Sequence, residues 1–265
     1  MNTTQNFGNL RRQRGFNLIE LMVAMAIALF LLFGLVTIVQ NVRQANLNQQ
    51  ALTQLQDEQR FAMSVITDVI QAGGYYPDPV FYQTDTALPL NGAWVPGEAF
   101  LGTHPGGVAS DTVGVRYMTN GGDGVILCDG SSNIAAPGTY TTYINQFTVQ
   151  AAAPGVVGGL YCQVNNGGAS AVAPGILLAP GVQSITVWYG VKRNCAADDY
   201  NVDTYLTADQ MTGAGVGCLG SDWLNISSVR VQLVFTNPLA GQPGQAATIT
   251  FQRVVEVMGR AGVHT

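Results

Sequence analysis

The longest apolar run of the chain lies near its beginning, from Phe16 to Val39, and contains a single charged residue, Glu20. At a rise of about 1.5 Å per residue, a helix of this length reaches about 36 Å, enough to cross a bilayer core with some tilt. A secretory signal peptide would have a shorter apolar region followed by a small-residue cleavage site. Here the chain continues into polar Gln40 and Asn41. The pattern therefore predicts a membrane-spanning helix that is retained.

Apolar residues recur beyond this span at spacings of three, four or seven, at Leu47, Ala51, Leu55, Ala62, Val65, Ile66, Val69 and Ile70. This spacing is typical of one apolar face of an α-helix. Gly73 and Gly74 then predict the end of the helix. We expect one helix over Asn17–Ala72. Residues 16–39 would form its membrane-spanning, assembly half and residues 40–74 its amphipathic half.

Residues 75–265 show a different, period-two pattern in short runs separated by turn signals. Such alternation predicts half-buried strands. The candidate strands are Asp111–Met118, Ile144–Gln150, Gly159–Val164, Val182–Val191, Val229–Thr236 and Ala247–Met258. A short helix is predicted at Asp203–Met211, with Asp203 or Thr207 as its N-cap. The predicted fold class is α+β, with one long N-terminal helix packed on a mainly antiparallel β-sheet domain.

Basic residues are concentrated in a leader of residues 1–15, where Arg11, Arg12 and Arg14 occur without any acid. The positive-inside rule keeps this leader in the cytoplasm and places the segment after Val39 on the other side of the membrane. The whole chain has a formal net charge of −5, and Lys192 is its one lysine. A nucleic-acid groove needs a basic stripe to neutralise phosphates. We therefore expect no nucleic-acid partner.

Four cysteines follow the predicted span, at Cys128, Cys162, Cys195 and Cys218. None forms a C-x-x-C pair, so the spacing does not favour a zinc site. Disulfides in an oxidising compartment are the simpler interpretation, and four free buried thiols are the alternative. The sequence leaves every possible pairing of the four open. The shorter loops favour Cys128–Cys162 and Cys195–Cys218.

Glu20 is a carboxylate inside an apolar span, which costs a few kcal/mol on insertion scales unless it has a partner. It lies four residues after Phe16. Cleavage before Phe16 would create an α-amino group one helical turn from this carboxylate. The amine, on the same or a neighbouring subunit, would then neutralise the charge.

The segment Gly15-Phe16-Asn17-Leu18-Ile19-Glu20, preceded by arginines, resembles the prepilin motif of type IV pilins and type II secretion pseudopilins. The resemblance implies that a membrane-embedded prepilin peptidase cuts after Gly15 and methylates the new N-terminal Phe16. It also implies that Glu20 is the assembly glutamate. Asn17 departs from the family pattern, in which Thr or Ser is usual at this position.

Two further regions resemble the W-type minor pilins of type IV pili. Residues 55–62 and 70–75 are similar to a Q-E-x-x-R-F-A segment that leads to an A-G-Y/F turn. Residues 182–190, 203–208 and 223–231 are similar to a Y-G strand, a Y-x-x-A turn and a W-x-x-V strand entry. A generic β-meander is the alternative interpretation of these later segments.

The sequence offers no constellation typical of catalysis, such as G-x-S-x-G, a P-loop or H-E-x-x-H. We therefore predict neither an enzyme nor a cofactor. Asp199, Asn201 and Asp203 place oxygen side chains at alternate positions, as calcium loops do. The glycine that should follow is replaced by Thr204, and Gln210 stands where a bidentate Glu is needed. A solvated turn explains these residues without a metal.

The resemblance implies a structural subunit that helps to initiate pilus assembly in a minor-pilin complex at the fibre tip. Its partners would be other minor and major pilins, the prepilin peptidase, the inner-membrane assembly platform and a tip adhesin. It would cross the inner membrane once, with a cytoplasmic N-terminus and a periplasmic domain, before entering the fibre at the cell surface. The alternatives are a J-type minor pseudopilin of a type II secretion system and a pilus-displayed receptor for a ligand or DNA.

Overall fold

The computed structural model describes residues 17–107, 109–166, 175–194, 201–211 and 221–258. A long helix, α1 (Leu18–Gln71), comes first and is followed by a short helix, α2 (Thr84–Ala87). The predicted long helix is therefore confirmed to within one residue at each end. It stops where the sequence indicated, because Gly74 adopts a φ of 79° and its amide donates to the Arg116 carbonyl at 3.0 Å. The left-handed conformation at Gly74 suits glycine.

Two antiparallel sheets follow the helices. The first sheet has the order β1-β2-β3-β4-β5, formed by Phe100–Thr103, Thr112–Asn120, Tyr140–Gln150, Gly159–Asn165 and Ile176–Pro180. The second has the order β7-β6-β8-β9, in which β6 to β9 are Val182–Val191, Thr204–Leu206, Ile226–Thr236 and Thr248–Glu256. Short 3₁₀ turns lie at Ala208–Gln210 and Asp222–Leu224. The predicted α+β class, one long helix with antiparallel sheets, is confirmed.

The antiparallel strands are divided between two sheets at Gly181, which links β5 to β6 with a φ of 72°. One local expectation was wrong. The predicted helix over Asp203–Met211 is instead the strand β7 followed by a 3₁₀ turn with Thr207 at its N-cap position. Pairing with β6 explains the strand, since Leu206 lies opposite Tyr189 and Thr204 opposite Val191. Tertiary pairing overrides local propensity in such short segments.

The chain divides into two compact units, Met1–Gln50 and Ala51–Thr265, and the boundary falls within α1. In the second unit, the buried residues of α1 are Leu55, Ala62, Met63, Ile66, Val69 and Ile70. They belong to one hydrophobic core that also contains the inward-facing residues of both sheets. The amphipathic stripe predicted from the sequence is therefore buried from Leu55 onward. Leu47, the first residue of that predicted stripe, lies in the first unit and is 58% exposed.

The segment before β2 joins the two sheets. The Asp111 amide donates to the Ile185 carbonyl at 2.9 Å, and the Asp111 carboxylate accepts from the Val187 amide at 2.8 Å. The Ser110 hydroxyl accepts from the Ile185 amide at 3.0 Å. Because β7 pairs with β6 only from Tyr189 to Val191, these contacts fill part of the remaining edge of β6. The backbone groups there are thus satisfied without another strand.

Candidate functional site

The head of α1 carries the candidate assembly residue. The helix begins with the Asn17 carbonyl accepting from the amides of Glu20 at 3.0 Å and Leu21 at 3.2 Å. Glu20 lies in the first turn and its side chain is exposed. A carboxylate there is favoured by the positive end of the helix dipole. Gly15 and Phe16 lie outside the described residues, so cleavage and methylation at these positions stay predictions.

The helix surface after Glu20 is apolar on every side. No residue from Leu21 to Val42 is charged. Phe30 and Phe33 are 78% and 73% exposed, and the other large apolar side chains of this stretch are exposed as well. α1 is long and apolar enough to cross a membrane. A helix that is hydrophobic all round is stable only in lipid or among other helices, so this segment and its prepilin-like start indicate membrane anchoring.

A disulfide joins Cys128 and Cys162, whose Cα atoms are 6.0 Å apart. This is one of the two pairings favoured from the sequence. Cys162 lies on β4 opposite Phe147 of β3, and the Cys128 amide donates to the Asn145 side-chain oxygen at 2.8 Å. The bond closes a loop with a sequence separation of 34, which stabilises the fold by about 4 kcal/mol in the chain-entropy account. Cys195 and Cys218 lie outside the described residues, and their pairing stays a prediction.

The acidic segment that resembled a calcium loop has a structural explanation where it is described. The Asp203 carboxylate accepts from the amides of Arg193 at 3.0 Å and Asn194 at 2.6 Å, and from the Thr204 hydroxyl at 2.7 Å. The Asn194 amide, followed by the Arg193 amide, lowers the pKa of Asp203. Asn201 is exposed, and Asp199 lies outside the described residues. Within the described ranges, no three acidic, His or Cys side chains are grouped to hold a metal ion.

Among the described residues, His104 and Asp111 form a pair that resembles part of a catalytic triad. The His104 Nδ1 lies 2.7 Å from the Asp111 Oδ1. The arrangement differs from a Ser-His-Asp triad, because there the serine must be hydrogen-bonded to the imidazole. Here the Ser110 hydroxyl bonds to the backbone of Ile185 instead. The second oxygen of Asp111 is occupied by the Val187 amide. The pair therefore joins the two sheets.

Arg116 is a buried cation that sequence reasoning missed. Its guanidinium donates to the carbonyls of Pro89 at 2.6 Å, Val95 at 2.5 Å and Leu88 at 3.2 Å, and also to that of Glu98. Burial lowers the pKa of Arg116 to about 10, against the opposing effect of the Glu98 charge. These bonds hold the connection between α2 and β1. No spacing in the sequence could reveal them, because the acceptors are backbone carbonyls.

Comparisons with known proteins match two separate parts of the chain. Residues 10–36 match the prokaryotic N-terminal methylation motif. Residues 146–257 match the family described as Type IV Pilus-assembly protein W. The second match runs from within β3 to the residue after β9, and so includes the whole second sheet as far as it is described. Together they confirm the resemblance to W-type minor pilins of type IV pili.

Among solved structures, the chain is similar to a type IV-like pilin from Thermus thermophilus. The sequence identity is 14% and the TM-score is 0.46, over 77% of this chain and 96% of that one. The search of curated proteins gave no match. The two family matches support a structural role as a pilin. They imply other pilins as partners and processing by a prepilin peptidase.

Proposed function

We propose that the chain is a minor pilin of a type IV pilus, a structural subunit that helps to initiate fibre assembly within a minor-pilin complex at the tip. One observation carries this proposal. A single carboxylate, Glu20, stands in the first turn of an exposed helix that has no other charge before Arg43. The same segment matches the N-terminal methylation motif. The match of residues 146–257 supports the W-type assignment over a J-type pseudopilin.

The proposed cleavage before Phe16 supplies a positively charged partner for the Glu20 carboxylate. Hydrolysis of the bond between Gly15 and Phe16 releases the basic leader and creates an α-amino group on Phe16. That amine lies four residues before Glu20, about 6 Å along a helix axis. It is positively charged, so pairing with the carboxylate offsets the cost of burying Glu20 among apolar helices. Methylation of the amine leaves its positive charge in place.

The proposed topology follows from the charges of the leader. Arg11, Arg12 and Arg14 hold the N-terminus in the cytoplasm. The domain after the span then lies in the periplasm, an oxidising compartment that suits the Cys128–Cys162 disulfide. On assembly, the apolar half of α1 exchanges lipid for the equivalent helices of other subunits. The platform in the inner membrane drives this step, and the tip complex carries an adhesin.

The role is structural, and we propose no catalytic activity and no cofactor. The His104–Asp111 pair and the Asp203 carboxylate are both engaged by backbone amides that hold the fold. The acidic net charge of −5 argues against a DNA receptor. A subunit of this kind acts through the surfaces that it presents to its neighbours.

The experiment compares Glu20→Ala with Glu58→Ala, the same substitution at a half-buried glutamate in the second half of α1. We expect Glu20→Ala to be cleaved normally but to be lost from pilus tips, whereas Glu58→Ala is incorporated. Gly15→Ala, in the same strain background, should block cleavage and leave the full-size precursor on a gel. Normal incorporation of Glu20→Ala contradicts the pairing. Loss of secretion with intact pili, on deletion of the gene, would favour the pseudopilin instead.

A further inference from the structure

The outer edge of β9 carries no neighbouring strand in the described part of the chain. β9 ends the second sheet and is nine residues long, whereas the other edge strands, β1, β5 and β7, have four, five and three residues. An exposed edge of this length is a template for pairing with another chain.

The register of β8 and β9 decides which backbone groups face outward. The Asn237 amide donates to the Ala247 carbonyl and the Val257 amide donates to the Ser227 carbonyl, both at 2.9 Å. Antiparallel pairs alternate between hydrogen-bonded and non-hydrogen-bonded positions. The odd-numbered residues of β9 therefore bond to β8. Amides and carbonyls that point away from β8 belong to Thr248, Thr250, Gln252, Val254 and Glu256.

In the described residues, this edge lacks several of the common protections against strand addition. β9 contains no Pro or Gly, and its register with β8 runs without a bulge, whereas a bulge occurs between β6 and β8. Proteins commonly blunt edges with Pro, bulges or covering loops. On the opposite side of the same sheet, Ser110 and Asp111 fill part of the β6 edge. Among the described residues, part of the β6 edge is thus covered, whereas the β9 edge is open.

The inner face of β9 is only partly covered. Ile249 and Phe251 pack against the core but are half-buried, whereas Val255 on the same face is buried. The Phe251 ring meets the buried Phe235 ring edge-on, with centroids 5.7 Å apart. A strand added beyond β9 would place its inward side chains beside Ile249 and Phe251. That contact would remove the remaining apolar surface from water.

Arg253 restricts which strand can pair. It lies on the inner face between Phe251 and Val255, is exposed, and donates to the Thr67 hydroxyl of α1 at 3.1 Å. An inward-pointing charge on an edge strand opposes indiscriminate pairing. A strand that places a carboxylate opposite Arg253 gains a charge pair, whereas one that places a basic residue there is repelled. The edge is therefore selective as well as open.

We propose that the β9 edge binds an extended segment of another pilin-like subunit by strand addition. The inward side chains of that segment are apolar beside Ile249 and Phe251 and acidic beside Arg253. The backbone supplies the hydrogen bonds, and the alternating side chains supply the selectivity. This inference rests on the proposed function, because it takes the partner to be a subunit of the same complex.

The test uses the full-length chain in detergent, co-expressed in turn with each other protein of the same organism that carries a prepilin motif. Backbone hydrogen exchange is measured on the chain alone and on each complex. Alone, Thr250, Gln252 and Val254 should exchange fast and the odd-numbered neighbours slowly. In the complex with the partner, these three amides should slow by on the order of tenfold or more. Protection elsewhere with unchanged β9 amides would overturn the proposal.

Matched variants distinguish the contribution of the backbone hydrogen bonds to binding from that of the side chains. Gln252→Pro removes an outward amide that β8 does not use, and Pro is tolerated at such edge positions. It should weaken the complex on the order of tenfold, whereas Gln252→Ala should bind like the original chain. Arg253→Glu should also weaken it and Arg253→Lys should not. Unfolding of each variant, followed by tryptophan fluorescence, checks that the fold is intact.

The outcomes distinguish a failure of the proposed function from a failure of the strand-addition proposal. If the unaltered chain joins no complex with any pilin-like subunit, the proposed function fails. If it joins one that Gln252→Pro and Arg253→Glu leave intact, the strand-addition proposal alone is wrong. Pairing of β9 only with a second copy of this chain, seen as a homodimer with the same protected amides, would overturn the choice of partner.

Discussion

The two halves of α1 belong to one helix but differ in what covers their apolar side chains. In Leu18–Gln50 the large apolar side chains are exposed on all sides, whereas in Ala51–Gln71 most of them form a stripe buried against the two sheets and Phe61 is exposed. The second half finds its apolar partners in its own chain. The first half must take them from lipid or from other subunits. Residue type alone therefore does not determine whether an apolar residue of α1 stabilises the domain, because its surroundings determine that.

The largest difference is expected from the same truncation made in both halves. Ile66 is 1% exposed and Ile38 is 62% exposed. Ile66→Ala should lower the free energy of unfolding of the domain by about 2–5 kcal/mol, since it leaves a cavity in the core. Ile38→Ala should change it by less than about 0.5 kcal/mol. Denaturant unfolding of the detergent-solubilised chain, followed by its tryptophans, measures both. Equal effects would contradict the division of the helix.

A charge placed in the first half should impair membrane insertion and leave the stability of the domain unchanged. Ile27→Arg would put a guanidinium into the apolar span at a cost of about 3 kcal/mol for insertion. We expect less protein in the carbonate-resistant membrane fraction, with the unfolding midpoint of the domain unchanged. Asn46→Arg, in the exposed polar stretch of the same helix, is the matched control and should insert normally. Normal insertion of Ile27→Arg would show that this stretch does not enter the bilayer.

Two glycines, one in the first half of α1 and one just after the end of the second half, should respond with opposite signs. A Cβ on Gly73 would lie 2.5 Å from the buried Phe100 ring, whereas a Cβ on Gly34 would meet no atom within 4 Å. Gly73→Ala should therefore destabilise the domain by about 1–3 kcal/mol through overpacking. Gly34→Ala should favour the helix by up to about 1 kcal/mol and leave domain unfolding unchanged. Thermal unfolding and helix content by circular dichroism distinguish the two.

The smallest expected difference concerns two threonines. The Thr37 hydroxyl donates only to carbonyls of its own helix, those of Phe33 and Gly34 at 2.9 Å. The Thr67 hydroxyl also accepts from Arg253 of β9. Thr67→Val should cost about 1 kcal/mol of domain stability because it removes this link, and Thr37→Val should not change it measurably. If the two variants unfolded alike, the bond to β9 would contribute nothing to stability.

Features set by local spacing could be predicted. The bounds of α1 follow from an apolar run and from the helical period after it, which ends at two glycines, and six strands follow from alternation. The strands β1, β5 and β7 were missed because they are too short to show alternation and are defined by pairing with the neighbouring strand. At the candidate site, Glu20 was found because a single charge in an apolar run is visible locally. Arg116 was not, since its acceptors lie 18 to 28 residues away.

The sequence by itself determined a bipartite helix, a lone carboxylate at its head and a β-rich domain. These depend on composition and on periods of a few residues, which act within one element. Only the tertiary structure decided that the strands form two sheets, that Arg116 is buried and that β9 is an edge strand with no neighbour among the described residues. Such features depend on which backbone groups of distant segments meet. That choice is made by register and packing across the whole domain.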